Sequence, residues 1–382
     1  MNIPEVRFPE FTEEWEKQKL SNILEFEYGM NAAGKEFDGE NKYIRITDIE
    51  ESSRKFLQTK LVSPEGKVTE KYRVKFGDIL FARTGASTGK TYKYIDNDGK
   101  IYFAGFLIRG RVDKKTSVDF IFYLTLNYKY KSWINVMSMR SGQPGINAKE
   151  YGSYEFRIPK IEEQQKIGDF FTLLDKRIEQ QEQKIALLKD YKKAMMQKIF
   201  SQKIRFKDEN GNDYPDWEEK MFMDIYFSVP SKAYQVFKTE ILSNGKIPVV
   251  DQGKNKIAGY SNESDKIYYN IPCIVFGDHT TELKYIDFPF IIGADGTKII
   301  QNHKENLTLF LYYLIEEKNI EQEGYKRHFS ILAEKSFIIP MKLEQDKIAS
   351  FLESIDLNID HQETVLSNLK EQKQGLLGKM FV

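Results

Sequence analysis

"RIPKIEEQQKIGDFFTLLDKRI" (residues 157–178) recurs in altered form as "IIPMKLEQDKIASFLESIDLNI" (residues 338–359). Aligned without gaps, residues 158–200 and 339–381 share 16 identities in 43 positions. Unrelated segments of this length share far fewer. The chain therefore contains an internal duplication, and an internal repeat has to be interpreted before any single motif.

The duplication extends upstream of these two tails with a changing offset. "FIFYL" at 120–124 matches "FLYYL" at 310–314, and "WEK" at 15–17 matches "WEEK" at 217–220. The repeated unit is thus about half of the 382-residue chain. Its tail has kept one spacing while its globular part has changed by insertion and deletion. This contrast indicates a shared scaffold that carries two different recognition surfaces.

Each tail has the apolar spacing of a long helix that pairs with another helix. Apolar positions follow one another in alternating steps of 4 and 3 residues, which is the heptad spacing of coiled coils. Polar residues interrupt both patterns at the same places, Gln181 and Lys192 matching Gln362 and Lys373. Ordinary amphipathic helices that tolerate two polar positions are the alternative, but they give no reason for this coincidence. The predicted seam comprises Ile167, Phe171, Leu174, Ile178, Gln181, Ile185 and Leu188 in the first tail, and Ile348, Leu352, Ile355, Ile359, Gln362, Leu366 and Leu369 in the second.

The connection between the repeats favours an antiparallel helix pair. A helix of about 38 residues is roughly 57 Å long at 1.5 Å per residue. Only 16 residues separate Phe200 from Trp217, and fully extended they span roughly 53 Å. A parallel pair would need nearly all of that length, yet "KDENGNDYPDW" (207–217) is rich in turn-forming residues. We therefore expect the two globular bodies at opposite ends of a helix pair, related by a pseudo-two-fold axis.

The predicted fold class is α+β, with two tandem mixed α+β domains separated by two long antiparallel coiled-coil helices. The predicted boundaries are residues 1–157 for the first domain, 158–200 for the first helix, 201–338 for the second domain and 339–382 for the second helix. Strand-like runs such as "GDILFART" (77–84) and "IPCIVFGD" (271–278) precede one amphipathic helix in each domain, at 117–137 and about 306–322. A polar loop follows each helix, "MRSGQPGIN" (139–147) and "GYKRHFS" (324–330).

Charge is distributed unevenly although the whole chain is neutral, with 57 Lys and Arg against 57 Asp and Glu. Residues 52–157 hold 20 Lys and Arg against 9 Asp and Glu, an excess of 11, whereas residues 201–338 hold 17 against 21. A basic excess is the electrostatic footprint of a polyanion partner. The charge pattern therefore supports nucleic-acid binding by the first domain and gives no such support for the second.

The sequence offers no complete catalytic or metal-binding motif. "GASTGKT" (85–91) has one residue too few between its glycines for a phosphate-binding loop, and a strand-like run follows it. The four histidines and Cys273 lack zinc-ligand spacing. The absence of a complete motif favours a binding protein over an enzyme.

The expected location follows from other features of the sequence. A single cysteine excludes an intramolecular disulfide, and no apolar run is long enough to span a bilayer. We therefore expect a cytoplasmic protein.

The ordered set of motifs resembles the specificity (S) subunit of Type I restriction–modification systems over essentially the whole chain. The resemblance is carried by the tandem "WE.K" starts, the "GDILFARTG" and "IVFGDHT" strands, the "SGQPGIN" and "KRHFS" loops and the twin tails. It implies a non-catalytic subunit whose two target-recognition domains each read one half of a split double-stranded DNA site. It also implies partners: two methyltransferase subunits and restriction (translocase–nuclease) subunits, for adenine methylation and for defence against foreign DNA. S-adenosylmethionine, ATP and Mg would be held by those partners, and none by this chain.

Two other function classes compete with this interpretation. A self-contained restriction or methylating enzyme would need a catalytic motif, and a purely structural coiled-coil protein would bind no nucleic acid. Base edges are read mainly by Arg, Lys, Asn, Gln and small polar groups. We accordingly predict DNA contacts from Arg83, Thr84, Lys90, Tyr92, Arg140, Ser141 and Gln143 in the first domain, and from Lys254, Asn255, His279, Thr280, Lys326, Arg327 and His328 in the second.

Overall fold

The structure is a computed structural model that describes residues 3–139, 143–293, 296–303, 306–318, 320–322, 324 and 326–382. Contacts between residues group the chain into two units. The first comprises Met1–Glu182 and Thr364–Val382, and the second comprises Gln183–Glu363. Each unit contains one globular body and a part of both long helices. The predicted boundaries at residues 157, 200 and 338, which treat each helix as a segment of its own, stay a prediction.

The first body is built on a four-stranded antiparallel sheet in the order β2–β9–β6–β7. Smaller pairs join β1 to β10, β3 to β5 and β4 to β8. Side chains alternate between the faces of a strand, and the fully buried β6 accordingly sends Ile79 and Phe81 into one core and Leu80 and Ala82 into another. In chain order the elements are β1 (Glu16–Lys19), β2 (Leu24–Tyr28), β3 (Gly34–Glu36), β4 (Lys42–Ile44), β5 (Val62–Pro64), β6 (Asp78–Ala82), β7 (Thr91–Lys93), β8 (Ile101–Phe103), β9 (Leu107–Val112), α1 (Val118–Leu124), α2 (Tyr128–Met137), α3 (Ala148–Gly152), β10 (Glu155–Ile158) and α4 (Ile161–Phe200).

The helix predicted over 117–137 is two helices, α1 and α2, and the prediction of a single helix is wrong. Asn127 interrupts it with an extended backbone, and its side-chain oxygen accepts a hydrogen bond from the backbone N–H of Tyr130 at 2.8 Å. Asparagine is among the best N-cap residues because its side chain satisfies a free N–H of the first turn. Because of the break, α1 buries "FIFYL" in the core of the first body, and α2 continues as a separate helix.

The second body repeats this plan with different details. Its main antiparallel sheet has the order β12–β19–β16–β17, and a second sheet has the order β13–β18–β14–β15. Strand β16 is fully buried like β6 and alternates in the same way between two cores. The elements are β11 (Glu218–Met221), α5 (Phe222–Ile225), β12 (Tyr226–Val229), β13 (Gln235–Val236), β14 (Ile247–Val250), β15 (Gly259–Ser261), β16 (Cys273–Gly277), β17 (Leu283–Ile286), β18 (Ile291–Gly293), β19 (Thr297–Asn302), α6 (Thr308–Glu317), α7 (Phe329–Ala333), β20 (Ser336–Ile339) and α8 (Lys342–Met380).

The two tails form single helices, α4 of 40 residues and α8 of 39 residues. Within the first unit, Asp175 pairs with Lys373 at 2.5 Å and Glu182 pairs with Lys370 at 2.7 Å. As the residue number rises on α4 it falls on α8, so the helices run antiparallel. Ion pairs inside the second unit, such as Lys189 with Glu363 at 2.6 Å, give the same direction. The predicted long antiparallel helices are thus confirmed.

The start of each long helix is fixed to its own body by a buried glutamine. Gln164 donates to the carbonyl of Pro159 at 2.8 Å and accepts from the N–H of Ser117 at 3.0 Å. Gln345 repeats both bonds, with the carbonyl of Pro340 at 2.9 Å and the N–H of Leu307 at 3.0 Å. A buried amide needs such partners because an unpaired polar group is costly. The duplicated glutamines therefore position each helix against its body.

Each predicted seam residue is buried or half-buried in the structure. The end of α4 contributes Ile199 and Phe200 to the core of the second body. Met380 at the end of α8 and Phe381 directly after it contribute to the core of the first. The helices thus pack along their seam and also complete the two cores. None of the helices within the described part of the chain is long and apolar enough to cross a membrane.

Candidate nucleic-acid interface

In the first body, two loops that are far apart in sequence form one surface. The β6–β7 hairpin turns at residues 83–90, and residues 143–147 precede α3. The N–H of Gly85 donates to the carbonyl of Pro144 at 2.9 Å, and the N–H of Ile146 donates to the carbonyl of Arg83 at 2.9 Å. Gly85 has a φ of +69°, which favours glycine because other residues meet a steric penalty there. The two loops predicted to contact DNA are therefore neighbours.

Arg83 lies at the centre of this surface, stacked on an aromatic ring. Its guanidinium carbon lies 4.9 Å from the centroid of the Tyr28 ring. A cavity of about 620 Å³ opens beside it and is lined by Arg45 and by Phe106, whose side chain is largely exposed. Arginine is the commonest base-reading residue because its planar fork matches two acceptors on guanine. A ring beneath the guanidinium orients that fork without using its hydrogen-bond donors.

Tyr28, Arg45 and Phe106 belong to this surface but were absent from the prediction. They lie on β2, after β4 and between β8 and β9, so only the tertiary fold brings them to Arg83. The sequence carries no signal for them, because the exposure of Phe106 is visible only in the structure. Of the other predicted residues, Gln143 is exposed and Thr84 half-buried. Arg140 and Ser141 lie outside the described residues.

Two predicted DNA contacts of the first body have structural partners instead. Tyr92 is buried with 1% exposure and donates its hydroxyl to Asp98 at 2.6 Å, and burial and the Asp98 charge raise its pKa. This burial contradicts the prediction that Tyr92 contacts DNA. The Nζ of Lys90 lies 2.6 Å from a Glu51 carboxylate oxygen and also donates to the carbonyl of Ile49 at 3.2 Å. Its charge is therefore neutralised within the body.

The second body brings the same two loops together with other residues. The N–H of His328 donates to the carbonyl of Asp278 at 2.8 Å, which joins the β16–β17 turn to the loop before α7. The imidazole Nδ1 of His279 lies 3.2 Å from the carbonyl oxygen of Lys326. The exposed Lys326 and Arg327 therefore stand beside the half-buried His279 and Thr280. This juxtaposition is equivalent to that of the 83–90 and 143–147 segments.

A buried lysine holds the remaining loop of this surface. Lys284 of β17 donates to the carbonyls of Asp251 at 2.7 Å and Asn255 at 2.6 Å. Burial lowers the pKa of Lys284. The loop so held presents Lys254 and Asn255 as exposed residues. Sequence reasoning overlooked Lys284 because a lysine in a strand is usually a solvent-facing residue.

His328 is the third predicted contact that the structure places elsewhere. Its side chain is fully buried at 0% exposure, and its Nδ1 lies 3.0 Å from the carbonyl oxygen of Asp278. It therefore packs under the loop junction. Burial of His328 contradicts the prediction that its side chain contacts DNA.

The basic excess of residues 52–157 is smaller at the surface than the count suggests. Arg111 pairs with the buried Asp78 at 2.8 Å, and Arg109 pairs with Glu27, which lies outside the counted segment. Cationic side chains thus stabilise the sheet as well as attracting a polyanion. Charge counting over a segment cannot separate these two uses.

The described residues include no group of three or more His, Cys, Asp or Glu side chains that could hold a metal ion. Cys273 is buried in β16, and burial raises the pKa of its thiol to about 12. A cysteine reacts as the thiolate, so this residue is a core side chain and a poor nucleophile.

Comparisons with known proteins agree with this organisation. The family model described as the type I restriction modification DNA specificity domain matches residues 12–190 and 214–371. A protein of Methanocaldococcus jannaschii named as the MjaX type I restriction enzyme specificity subunit is 27% identical, over 100% of this chain and 96% of its own. The MjaVIII specificity subunit of the same organism is 23% identical over 100% and 95%.

Solved structures show the same fold. The crystal structure of a type I restriction–modification S subunit from M. genitalium aligns with a TM-score of 0.63 and 16% identity, over 100% of this chain and 99% of that one. A second chain, from work on complex assembly and conformational transition of the type I system, aligns with a TM-score of 0.54 and 14% identity over 95% and 96%. The fold class predicted from the duplicated tails is confirmed.

Proposed function

The chain belongs to the family of type I restriction–modification specificity subunits, which recognise DNA sequence and have no catalytic site of their own, and we propose that each of its two bodies reads one half of a divided DNA site. The observation that carries this proposal is the repeated surface, a strand hairpin joined by backbone hydrogen bonds to the loop before a short helix, built once in each body. Two copies of one reading surface fit two half-sites.

The two half-sites should differ in sequence because the two surfaces differ in chemistry. The first presents Arg83 on Tyr28 with Gln143 beside it, whereas the second presents His279, Lys326 and Arg327. Different donor and acceptor patterns select different bases in the major groove. The expected target is therefore asymmetric, with a gap between its halves.

The same proposal includes partner subunits, which would supply the catalytic activities. Two methyltransferase subunits would dock on the duplicated frame, and restriction subunits would complete the complex. S-adenosylmethionine, ATP and Mg would belong to those partners, with adenine as the methylated base. The description of one solved relative refers to complex assembly of the type I system, which supports assembly with other subunits. The duplicated frame supports two of them, since two equivalent attachment faces would fit two equivalent partners.

Methylome sequencing of a host with and without this gene tests the proposal directly. We expect one split adenine motif to appear only when the gene is present. Exchange of residues 1–157 for the corresponding domain of a relative should change one half-site and leave the other half-site and the gap unchanged. A change in both halves, or no gene-dependent motif, would contradict the assignment of one half-site to each body.

The paired helices are proposed to set the gap. One heptad inserted after Gln181 and another after Gln362 lengthens both helices by roughly 10.5 Å while keeping the seam on the same face. This equals about three base pairs at 3.4 Å each. The motif should then keep its half-sites and gain about three base pairs in the gap. Insertion into one helix alone is the control, because it breaks the pairing and should abolish methylation.

A further inference from the structure

A cavity of about 390 Å³ lies inside the first unit, between the loop at residues 51–55, helix α2 and the two long helices. Its walls combine charged side chains with the apolar Leu126 and Ile178. A cavity of this volume is in the range of small-molecule sites. It is separate from the loops that form the candidate DNA-reading surface, none of which line it.

Most charges around the cavity are paired one to one. Lys55 pairs with Glu179 at 2.8 Å, and the ion pairs Lys370–Glu182 and Lys373–Asp175 close the wall formed by the long helices. These pairs leave no surplus of either sign. The remaining charges of the wall therefore decide which ligand it can hold.

The remaining charges of the wall are two cations and the single carboxylate of Glu51. Arg54 and Lys131 line the cavity, and the nearest carboxylate to Arg54 is that of Glu51 at 3.6 Å. Glu51 is already engaged by Lys90 at 2.6 Å. Among the residues that the structure describes, Lys131 has no ion-pair partner. Its pKa is lowered mainly by burial and also by repulsion from the charges of Arg54 and Lys373. One shared carboxylate thus faces an excess of positive charge.

Arg54 itself has the features of a residue held in place for a ligand. Its side chain is 12% exposed, and its Nη1 is buried without a hydrogen-bond partner. Its backbone φ is +59°, a left-handed conformation that costs energy for residues other than glycine, asparagine and aspartate. Strained backbone conformations cluster at functional sites, and a buried donor without a hydrogen-bond partner is uncommon and requires an explanation.

The matching position in the second unit lacks this surplus. The cavity there, of about 530 Å³, places Lys189, Lys192 and Lys193 against Glu316, Glu317 and Asp356. Three cations face three carboxylates, so that wall is balanced. Glu316 stands where the first unit has Leu126, by the offset of 190 that aligns "FLYYL" with "FIFYL". The cationic surplus is therefore a property of the first unit alone and not of the repeated scaffold.

We infer that this cavity binds a small phosphate-bearing molecule of about nucleotide size, with its phosphate on Arg54 and Lys131 and its apolar part against Leu126 and Ile178. A phosphate dianion matches two cations that share one carboxylate, itself already engaged by Lys90, and arginine binds phosphate through paired hydrogen bonds. A DNA backbone is a poorer occupant because the guanidinium lies within the wall. The inference goes beyond the proposed DNA recognition and does not depend on it.

The test measures binding to the full-length chain without DNA. Thermal unfolding and calorimetry are run with inorganic phosphate, adenosine monophosphate and adenosine, with chloride balancing the ionic strength. We expect saturable binding of the monophosphate, weaker binding of phosphate and none of adenosine. Arg54→Asn, which keeps a residue tolerant of the left-handed conformation, and Lys131→Gln should each weaken monophosphate binding about tenfold or more.

Lys193→Gln is the matched control, since it removes one lysine from the balanced cavity of the second unit, and it should leave binding unchanged. Unfolding in chloride reports whether each variant is folded before ligand is added. Three results would overturn the inference: no saturable binding of adenosine monophosphate up to about 10 mM, binding of adenosine as tight as that of the monophosphate, or equal stabilisation of all three variants by the monophosphate. The last result would identify a general salt effect.

Discussion

Lys192 of α4 faces two carboxylates at once, Asp356 at 2.8 Å and Glu316 at 3.1 Å. Among the described residues, its counterpart Lys373 of α8 forms an ion pair only with Asp175, at 2.5 Å. Both lysines also lie over a tyrosine ring, at 5.0 Å and 5.6 Å, so that contact is common to the two sites. Replacing each lysine by methionine keeps the length of the apolar stem and removes the charge. The two substitutions therefore differ in the number of carboxylates left unpaired.

The expected losses of unfolding free energy follow from burial. Removing one partner of a buried ion pair costs about 3–5 kcal/mol. Lys192 is 13% exposed, but Asp356 and Glu316 are 32% and 36% exposed, and water screens them in part. We expect Lys192→Met to cost about 2–3 kcal/mol and Lys373→Met about 1–2 kcal/mol. Urea denaturation gives the free energies, and hydrogen exchange of α6 localises the effect to the second unit.

A double variant isolates the second carboxylate. Glu316→Leu introduces the residue that the first unit has at Leu126, so that Lys192→Met combined with Glu316→Leu leaves only Asp356 unpaired. Its stability loss should fall to within about 0.5 kcal/mol of that of Lys373→Met, allowing for non-additivity between neighbours. An unchanged loss in the double variant would show that charge is not the cause.

The pH dependence has a defined sign. Burial raises the pKa of Glu316 above its usual value, against the attraction of Lys192. Removing Lys192 removes that attraction, so the pKa of Glu316 rises further. An acid with a raised pKa in the folded state binds a proton more readily there than in the unfolded chain, and stability increases as pH falls through the folded pKa. The defect of Lys192→Met should therefore shrink from about pH 8 to about pH 5. Equal losses for the two lysine variants, or a loss independent of pH, would refute the reasoning.

Four further substitutions test individual contacts. Arg7→Met leaves the buried Glu163 without its two-bond partner (2.7 and 2.8 Å) and should cost about 3–5 kcal/mol in denaturation experiments, with no loss contradicting a buried ion pair. Phe381→Ala empties a buried site at the end of α8 and should cost about 3–5 kcal/mol by calorimetry, whereas a loss below about 1 kcal/mol would contradict its place in the core. Arg83→Ala should weaken specific DNA binding about tenfold or more with unchanged stability, and Tyr92→Phe should lower stability with unchanged DNA affinity; the reverse pattern would contradict the placement of these two side chains.

The architecture could be predicted because the information for it is local and repeated. Heptad spacing specifies a paired helix, and the short connection after Phe200 specifies its direction. The interruption at Asn127 could not be predicted, because the apolar pattern continues across it and a cap differs from a helical asparagine only in backbone conformation. Three-residue strands such as β7 are equally uninformative, since alternation over so few residues does not identify the buried face.

The site could be predicted as loops but not as side chains. The sequence indicates a polar loop at 139–147 and candidate contacts from residue 83 onward, but only the fold brings these two segments together. Whether a polar residue in or beside such a loop faces solvent depends on partners elsewhere in the chain, as Asp98 shows for Tyr92 on β7 and Asp278 shows for His328. Tyr28 illustrates the converse, because it joins the surface from a strand 55 residues before Arg83.

The identities between the two tails are explained by contacts that are made twice. Arg7 bonds Glu163 as Arg205 bonds Glu344, and each tyrosine of the aligned helices, Tyr123 and Tyr313, donates to an aspartate of its long helix at 2.9 and 2.7 Å. That aspartate in turn pairs with the seam lysine of the other long helix.

Each tyrosine–aspartate–lysine network therefore joins a body to both helices through a few fixed positions. A substitution there disrupts three elements together, while a substitution in the hairpin or the 143–147 loop affects only the proposed reading surface. Physical constraint thus falls on the attachment points and leaves the proposed reading loops free to vary. This explains why the duplicated tails still align residue by residue while the exposed loops of the two bodies differ.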